Sequence, residues 1–189
     1  MTGHKGSRKA PRPLRETSLD ELALRYVGRF ATTRAKLRAY LERKLRERGW
    51  DGDRPPEPDA IVSRFAGLGY VDDGAFALSK ARALGGRGYG KRRVAQSLRA
   101  AGVEDGDGRP ALDHAEDEAV EAALRFAKRR RIGPFADTPA TDPRDREKAI
   151  ASMIRAGHGF AIARAIVATA PGEAFDERPF RDDTQPVDD

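Results

Sequence analysis

Four times along this chain a basic, amphipathic segment ends in a glycine followed by a large or β-branched residue. The stops are Arg48-Gly49-Trp50, Leu68-Gly69-Tyr70, Ala101-Gly102-Val103 and Ala156-Gly157-His158-Gly159-Phe160. Glycine just past a helix supplies a left-handed backbone position without a Cβ clash, and the apolar residue after it can fold back onto the last turn. Recurrence of one stop signal predicts a small helical unit used repeatedly.

Apolar spacing fills in the helices between the stops. Ser18, with Glu21 three residues on, has the pattern of a capping box and predicts a helix to about Phe30, with Leu22, Tyr26 and Val27 on one face. Thr32 or Thr33 caps the next, in which Leu37, Tyr40, Leu41 and Leu45 form a stripe of period 3.6. A third starts near Pro58 and carries Ile61, Val62, Phe65 and Leu68. Asp72 reads as an N-cap, with Asp73 in the first turn, where the helix dipole favours an acid. Phe76, Ala77, Ala81 and Leu84 follow. Gly85-Gly86-Arg87-Gly88 interrupts them, and Val94 and Leu98 mark the helix beyond. Residues 104–109 read as a turn and Pro110–Ala115 as a short helix. A longer helix with Val120, Leu124 and Ala127 inward ends in Lys128-Arg129-Arg130-Arg131. After a loop with three prolines, two last helices carry Ile150, Met153, Ile154, Ile162 and Ile166. No segment alternates with period 2, so the expected fold is all-α. The expected layout is an elongated tandem array of three three-helix, helix-turn-helix-like repeats at 18–70, 71–115 and 116–170. A disordered basic arm (1–17) and a disordered acidic tail (171–189) flank it, both expected to be mobile.

Composition agrees with thin modules rather than one thick core: 39% of the 189 residues are hydrophobic and 35% charged. The net charge of +6 hides a polarity. Residues 1–16 carry +4, residues 173–189 carry −5, and the body between them +7. A basic body points to a polyanionic or acidic partner. The absence of cysteine excludes disulfides and thiolate chemistry. The N-terminus lacks the apolar core of a secretory signal, and no apolar run is long enough to span a bilayer, so the expected place is the cytoplasm, with no membrane partner.

Candidate chemistry is sparse. Gly85 to Arg92 matches Gly-x4-Gly-Lys, but Arg92 stands where a phosphate-binding loop needs Ser or Thr for Mg²⁺, and a helix precedes it instead of a strand. Flexible glycine backbone among cations could still approach a phosphate chain closely. His114 lies among acids on one stretch with no second cluster, so a solvated helix start explains it better than a metal site. His158 sits between two glycines. No serine has a histidine at catalytic spacing. No enzyme, cofactor or metal is expected. The basic clusters are the stronger signal: Arg25–Arg48 holds nine Lys/Arg against two Glu. Candidate partner-binding residues are Arg34 and Arg38, then Lys80, Arg82, Arg87, Lys91, Arg92 and Arg93 at the glycine-rich joint, then Arg129 and Arg130. One basic patch per module suits a long polyanion or a filament.

The stretch Leu68-Gly69-Tyr70-Val71-Asp72-Asp73-Gly74-Ala75-Phe76-Ala77, with Lys80-Ala81-Arg82, Gly90-Lys91-Arg92-Arg93-Val94, Leu98 and Gly102-Val103, resembles the RecX family of bacterial regulators of the RecA recombinase. Asp72, Asp73, Phe76, Ala77, Gly90 and Gly102 carry the match. It is specific over 65–103 and extends in layout over 18–170. Loop 133–143, the acidic tail and His158 depart from the pattern. The resemblance implies a non-enzymatic, monomeric modulator that lies along the RecA–DNA filament and limits recombinase and coprotease activity in DNA repair and the SOS response. Single- or double-stranded DNA would be met directly or within the filament. The alternative is a helix-turn-helix regulator acting directly on DNA, which would want one recognition helix and usually a dimer.

Overall fold

A computed structural model describes residues 12–180. They form nine α-helices: α1 (Glu16–Val27), α2 (Arg34–Arg48), α3 (Pro58–Gly67), α4 (Asp73–Gly86), α5 (Lys91–Ala100), α6 (Asp105–Asp117), α7 (Ala119–Arg130), α8 (Pro143–Arg155) and α9 (Phe160–Ala168). Short 3₁₀ turns cover Gly133–Phe135 and Arg178–Phe180. The chain divides into two compact units, Met1–Asp72 and Asp73–Asp189, so the second and third helix triads share one unit.

In the first unit, Leu19, Ala23, Leu37, Leu41, Ile61, Val62, Phe65 and Val71 enclose the core. Thr33 caps α2 by accepting the Lys36 N–H at 3.2 Å. Tyr26 stacks on Tyr40 with centroids 4.3 Å apart. Leu14 is fully buried: its N–H donates to Gly49 O at 2.9 Å, and its carbonyl accepts from Asp51 N–H at 2.8 Å. Arg15 binds the Asp51 carboxylate at 2.7 Å. Residues 12–17 are therefore clipped to the α2–α3 connection and are not a free arm. One buried leucine anchors them, a signal lost in the average charge of the segment. The rest of the expected arm, 1–11, lies outside the described residues. Ser18 is not the N-cap of α1. It sits at the third helical position, where its Oγ accepts the Arg15 N–H at 2.8 Å. Leu68, expected inward, is exposed because α3 stops one residue before it.

In the second unit, Ala77, Ala81, Val94, Leu98, Ala111 and Ala115 form one cluster, and Val120, Phe126, Met153, Ile162 and Ile166 anchor another. α4 packs chiefly on α6, small residue against small residue. Residues 104–109 are not a turn, because α6 begins at Asp105 and runs through Pro110. Asp105 and Asp107 favour its first turn, and burial of Gly108 and Ala111 against neighbouring helices overrides the proline. Asp73 opens α4 and is buried, while Asp72 just before it is exposed. Phe76 is only half-buried, so alanines and branched residues hold this core. In α7 the fully enclosed aromatic is Phe126, with Leu124 partly covered. The expected acidic tail is ordered as far as Phe180. Phe175 and Phe180 stack 5.8 Å apart and pack on the third cluster, because these two rings supply the apolar surface that the flanking acids conceal in the sequence. Residues 181–189 lie outside the described part.

Four helix stops close alike. Tyr70, Tyr89, Val103 and His158 donate their N–H groups back to Phe65, Leu84, Leu98 and Met153 at 2.9, 3.0, 3.1 and 3.2 Å. Each follows a glycine with positive φ. The Gly88 stop is not among the four that the sequence pattern marks. Gly49 also has positive φ, but Trp50 pairs with Leu14 instead.

Leu41 is fully enclosed, so Leu41→Ala should cost about 2–5 kcal/mol. Phe76→Ala should cost less than the about 3–5 kcal/mol of a fully buried phenylalanine. Urea melts of both variants check the order, and a larger loss for Phe76→Ala would contradict it.

Candidate nucleic-acid or filament interface

The second unit is organised around a place where two backbones meet. The segment after α4 turns at Gly88 and enters α5 at Gly90. Gly90 N–H donates to Ala156 O at 3.0 Å, and Arg92 N–H donates to Gly157 O at 3.2 Å. The α4–α5 connection is thus clipped to the α8–α9 turn. A Cβ on Gly90 would lie 2.5 Å from Gly157 O, and one on Gly157 would lie 2.5 Å from Arg93 N. Nothing larger than glycine fits either side. Of the glycines expected to bring backbone toward a phosphate chain, Gly88 and Gly90 bring it against the backbone of Phe126 and Gly157. Gly85 and Gly86 belong to the end of α4, so the Gly-x4-Gly-Lys match lies between two helices.

His158 completes the junction. It is buried, and its Nε2 lies 3.1 Å from Gly88 O. Its ring meets Phe126 at 5.6 Å. Burial pushes the imidazole below its ordinary range, and the bond to Gly88 opposes this more weakly. In the sequence His158 was only a histidine between glycines. Its partner stands 70 residues away.

The junction holds Tyr89, half-buried, at the centre of three cations. The guanidinium carbons of Arg87, Arg129 and Arg93 lie 5.7, 5.8 and 5.9 Å from the Tyr89 ring centroid. Arg129 donates to the Arg87 carbonyl, and Arg93 donates to Gln96 Oε1 at 2.8 Å. Arg129 and Arg130 also approach the Phe126 ring, at 5.4 and 5.9 Å. Cation–π contact contributes about 0.5–1 kcal/mol per exposed pair. Among the described residues none of these four arginines is paired with a carboxylate. Cations gathered on one ring without acids repel each other, and a polyanion arriving there would relieve that repulsion.

Of the residues singled out from sequence, Arg87, Arg93, Arg129 and Arg130 converge here. Arg82 lines a hollow of about 270 Å³ that also touches Tyr89, Arg125 and His114. Lys80 and Arg92 are exposed. Lys91 is spoken for: its Nζ lies 2.7 Å from Glu116. Arg38 is likewise ion-paired, with Asp59 of α3, and Arg34 is half-buried. Both were expected to face a partner freely. On the α2 helix Arg34 and Arg38 stand at i, i+4 with Leu37 and Leu41 at i+3 and i+7, so they flank the apolar stripe instead of opposing it, and Arg38 finds its acid within the unit. Tyr89 was missed as a functional residue. A tyrosine inside Arg-Gly-Tyr-Gly-Lys-Arg-Arg was the available signal, since aromatics among cations are stacking platforms for nucleic acid. No group of His, Cys or acids suited to a metal occurs among the described residues. No helix of the described residues is long and apolar enough to cross a membrane.

Helix triads with a cationic, aromatic-centred surface define an all-α protein built to present charge. The chain is 31% identical over 170 residues to regulatory protein RecX of Myxococcus xanthus, covering 86% of this chain and 91% of that one. It is 33% identical to regulatory protein RecX of Halorhodospira halophila, covering 84% and 90%. The crystal structure of RecX from Lactobacillus salivarius superposes with a TM-score of 0.59 at 19% identity, covering 80% of this chain and 93% of that one. A second RecX crystal structure gives 0.57 at 20% identity, covering 79% and 72%. No family model matches the chain. The chain belongs to the RecX family of regulatory proteins.

Gly90→Ala should lose about 1–3 kcal/mol, because its methyl group must displace backbone. Gly106→Ala, with nothing within 4 Å of the new carbon, should be neutral or gain up to about 1 kcal/mol in α6. Thermal melts of the two variants read the difference, and equal behaviour would remove the junction from its structural role.

Proposed function

We propose that this protein is a non-enzymatic modulator that binds the RecA–DNA filament and lowers recombinase and coprotease activity, in regulation of DNA repair and the SOS response. It acts as a cytoplasmic monomer with its helix triads serving as tandem repeats. Membership of a family of regulatory proteins supports the regulatory role, and the resemblance over residues 65–103 supplies RecA as partner. The observation that carries the reading is the convergence of Arg87, Arg93 and Arg129 on Tyr89 without a carboxylate. Exposed ion pairs contribute only about 0–1 kcal/mol, so an unpaired cluster is not there for stability. The cluster meets either DNA phosphates or an acidic face of the filament.

Capture by a RecA–single-strand filament, compared with naked DNA and with free RecA, tests the partner. Filament binding above both controls supports the proposal. Equal binding to naked duplex would replace it with the direct DNA-binding regulator. Arg87→Ala/Arg93→Ala/Arg129→Ala should weaken filament binding with helicity unchanged, whereas Lys91→Ala/Arg38→Ala should change it little. If the three arginines touch phosphates, the slope of log K against log salt should lose about 0.7–0.9 per contact.

A further inference from the structure

His158 stands at a helix stop where the others carry Trp50, Tyr70 and Val103, and nothing in the proposed activity employs it. A buried aliphatic or aromatic residue would close that turn equally well. An imidazole does something more. The Gly88 carbonyl can only accept, so Nε2 carries a proton, and burial favours the neutral Nε2–H form of His158 over the doubly protonated ring. That hydrogen bond seizes the carbonyl immediately before Tyr89. The next two fastenings, Gly90 to Ala156 and Arg92 to Gly157, lie on either side of Lys91. Three bonds from one turn therefore hold the segment 88–92, and with it the backbone that sets Arg87, Tyr89 and Arg93.

We propose that His158 is a positioning residue for the arginine–tyrosine cluster, and that its protonation unfastens the 88–92 segment and disperses the cluster. The regulatory consequence rests on the function proposed above, while the unfastening itself does not.

The surroundings decide the direction. Arg87 directly precedes the segment His158 holds, and Arg92 and Arg93 lie in the first turn of α5. Arg129 and Arg130 lie over Phe126, the ring His158 touches. Arg155 ends α8, and Arg164 is the only ionisable group of α9. On α7, Glu118 is bound to Arg125, and Glu121 lies more than a turn before Phe126. A second proton would place a full charge in a buried site, and that burial outweighs the opposing pull of the Gly88 bond. An unfastened, solvated histidine takes that proton near its ordinary value of about 6.5. The fastened state is therefore fully favoured above that pH. It loses ground as pH falls below it, by up to about tenfold per unit, since one proton is linked to opening.

Hydrogen exchange on the full chain reads this directly. Protection factors at the Gly90 and Arg92 amides, corrected for intrinsic exchange, should fall several-fold to tenfold between pH 6.5 and 5.5. His158→Gln, which keeps a donor but cannot titrate in this range, should abolish the fall. His114→Gln should retain it. Wild-type protection that does not change with pH, or an equal fall in His158→Gln, would overturn the proposal. Should His158→Gln fail to fold, the wild-type ring still decides the matter by NMR, since a His158 resonance titrating at the ordinary value is incompatible with it. A fluorescent oligothymidylate is the probe of the surface. Its affinity should weaken in His158→Ala and survive in His158→Gln at pH 7.5. General electrostatics would instead strengthen polyanion binding in acid. No binding of the oligonucleotide by the wild type would count against nucleic-acid contact, and the exchange data would still judge the fastening.

Discussion

The close approach of the α4–α5 connection to the α8–α9 turn is the constraint on which the second unit depends. Two backbone hydrogen bonds and one imidazole bond cross it, and the opposed glycines leave no room for a Cβ on either side. Buried backbone donors and acceptors must find partners, and here each turn satisfies the other. The arrangement explains the glycines at 88 and 90, where a Cβ would meet the backbone of Phe126 and of Gly157. It also explains how Tyr89, at the tip of a connection, can hold a definite place among cations.

Packing around the junction is economical. α4 and α6 meet through alanines, so their axes can come close with little side-chain volume between them. Larger residues, Phe126, Met153 and Ile166, occupy the next cluster. The first unit follows a different plan, with leucines on α1 and α2 and a buried Leu14 drawn in from the lead-in. In both units the charged residues stay outside, Asp73 at the start of α4 excepted. That leaves the surface rich in arginine, and structure then sorts the arginines into those with an acid in reach and those without.

That sorting separates composition from function. Lys91 and Arg92 are neighbours in sequence, yet Lys91 ends beside Glu116 while Arg92 stands exposed. Arg87 and Arg129 lie 42 residues apart, yet both frame Tyr89. A run of basic residues counts charge, but only positions in space say which charges add to one field.

Much of the architecture was legible from local physics. The stripe Leu37/Leu41, the Thr33 cap and the glycine stops at 69, 102 and 157 depend on neighbours within a turn or two, so spacing reveals them. The resemblance over 65–103 was legible for the same reason, because its residues are contiguous. Errors arose where distant surface overrode local preference. Burial of Ala111 carried α6 through Pro110, Leu14 pulled in a basic lead-in, and Phe175 and Phe180 settled part of an acidic tail. The sequence by itself determined an all-α chain, its helix stops and its basic character, since these follow from backbone conformation and composition. Tertiary structure alone decided that Tyr89 gathers three arginines and that His158 is buried against Gly88. Both require segments tens of residues apart to meet, and no local pattern encodes the partner across such a gap.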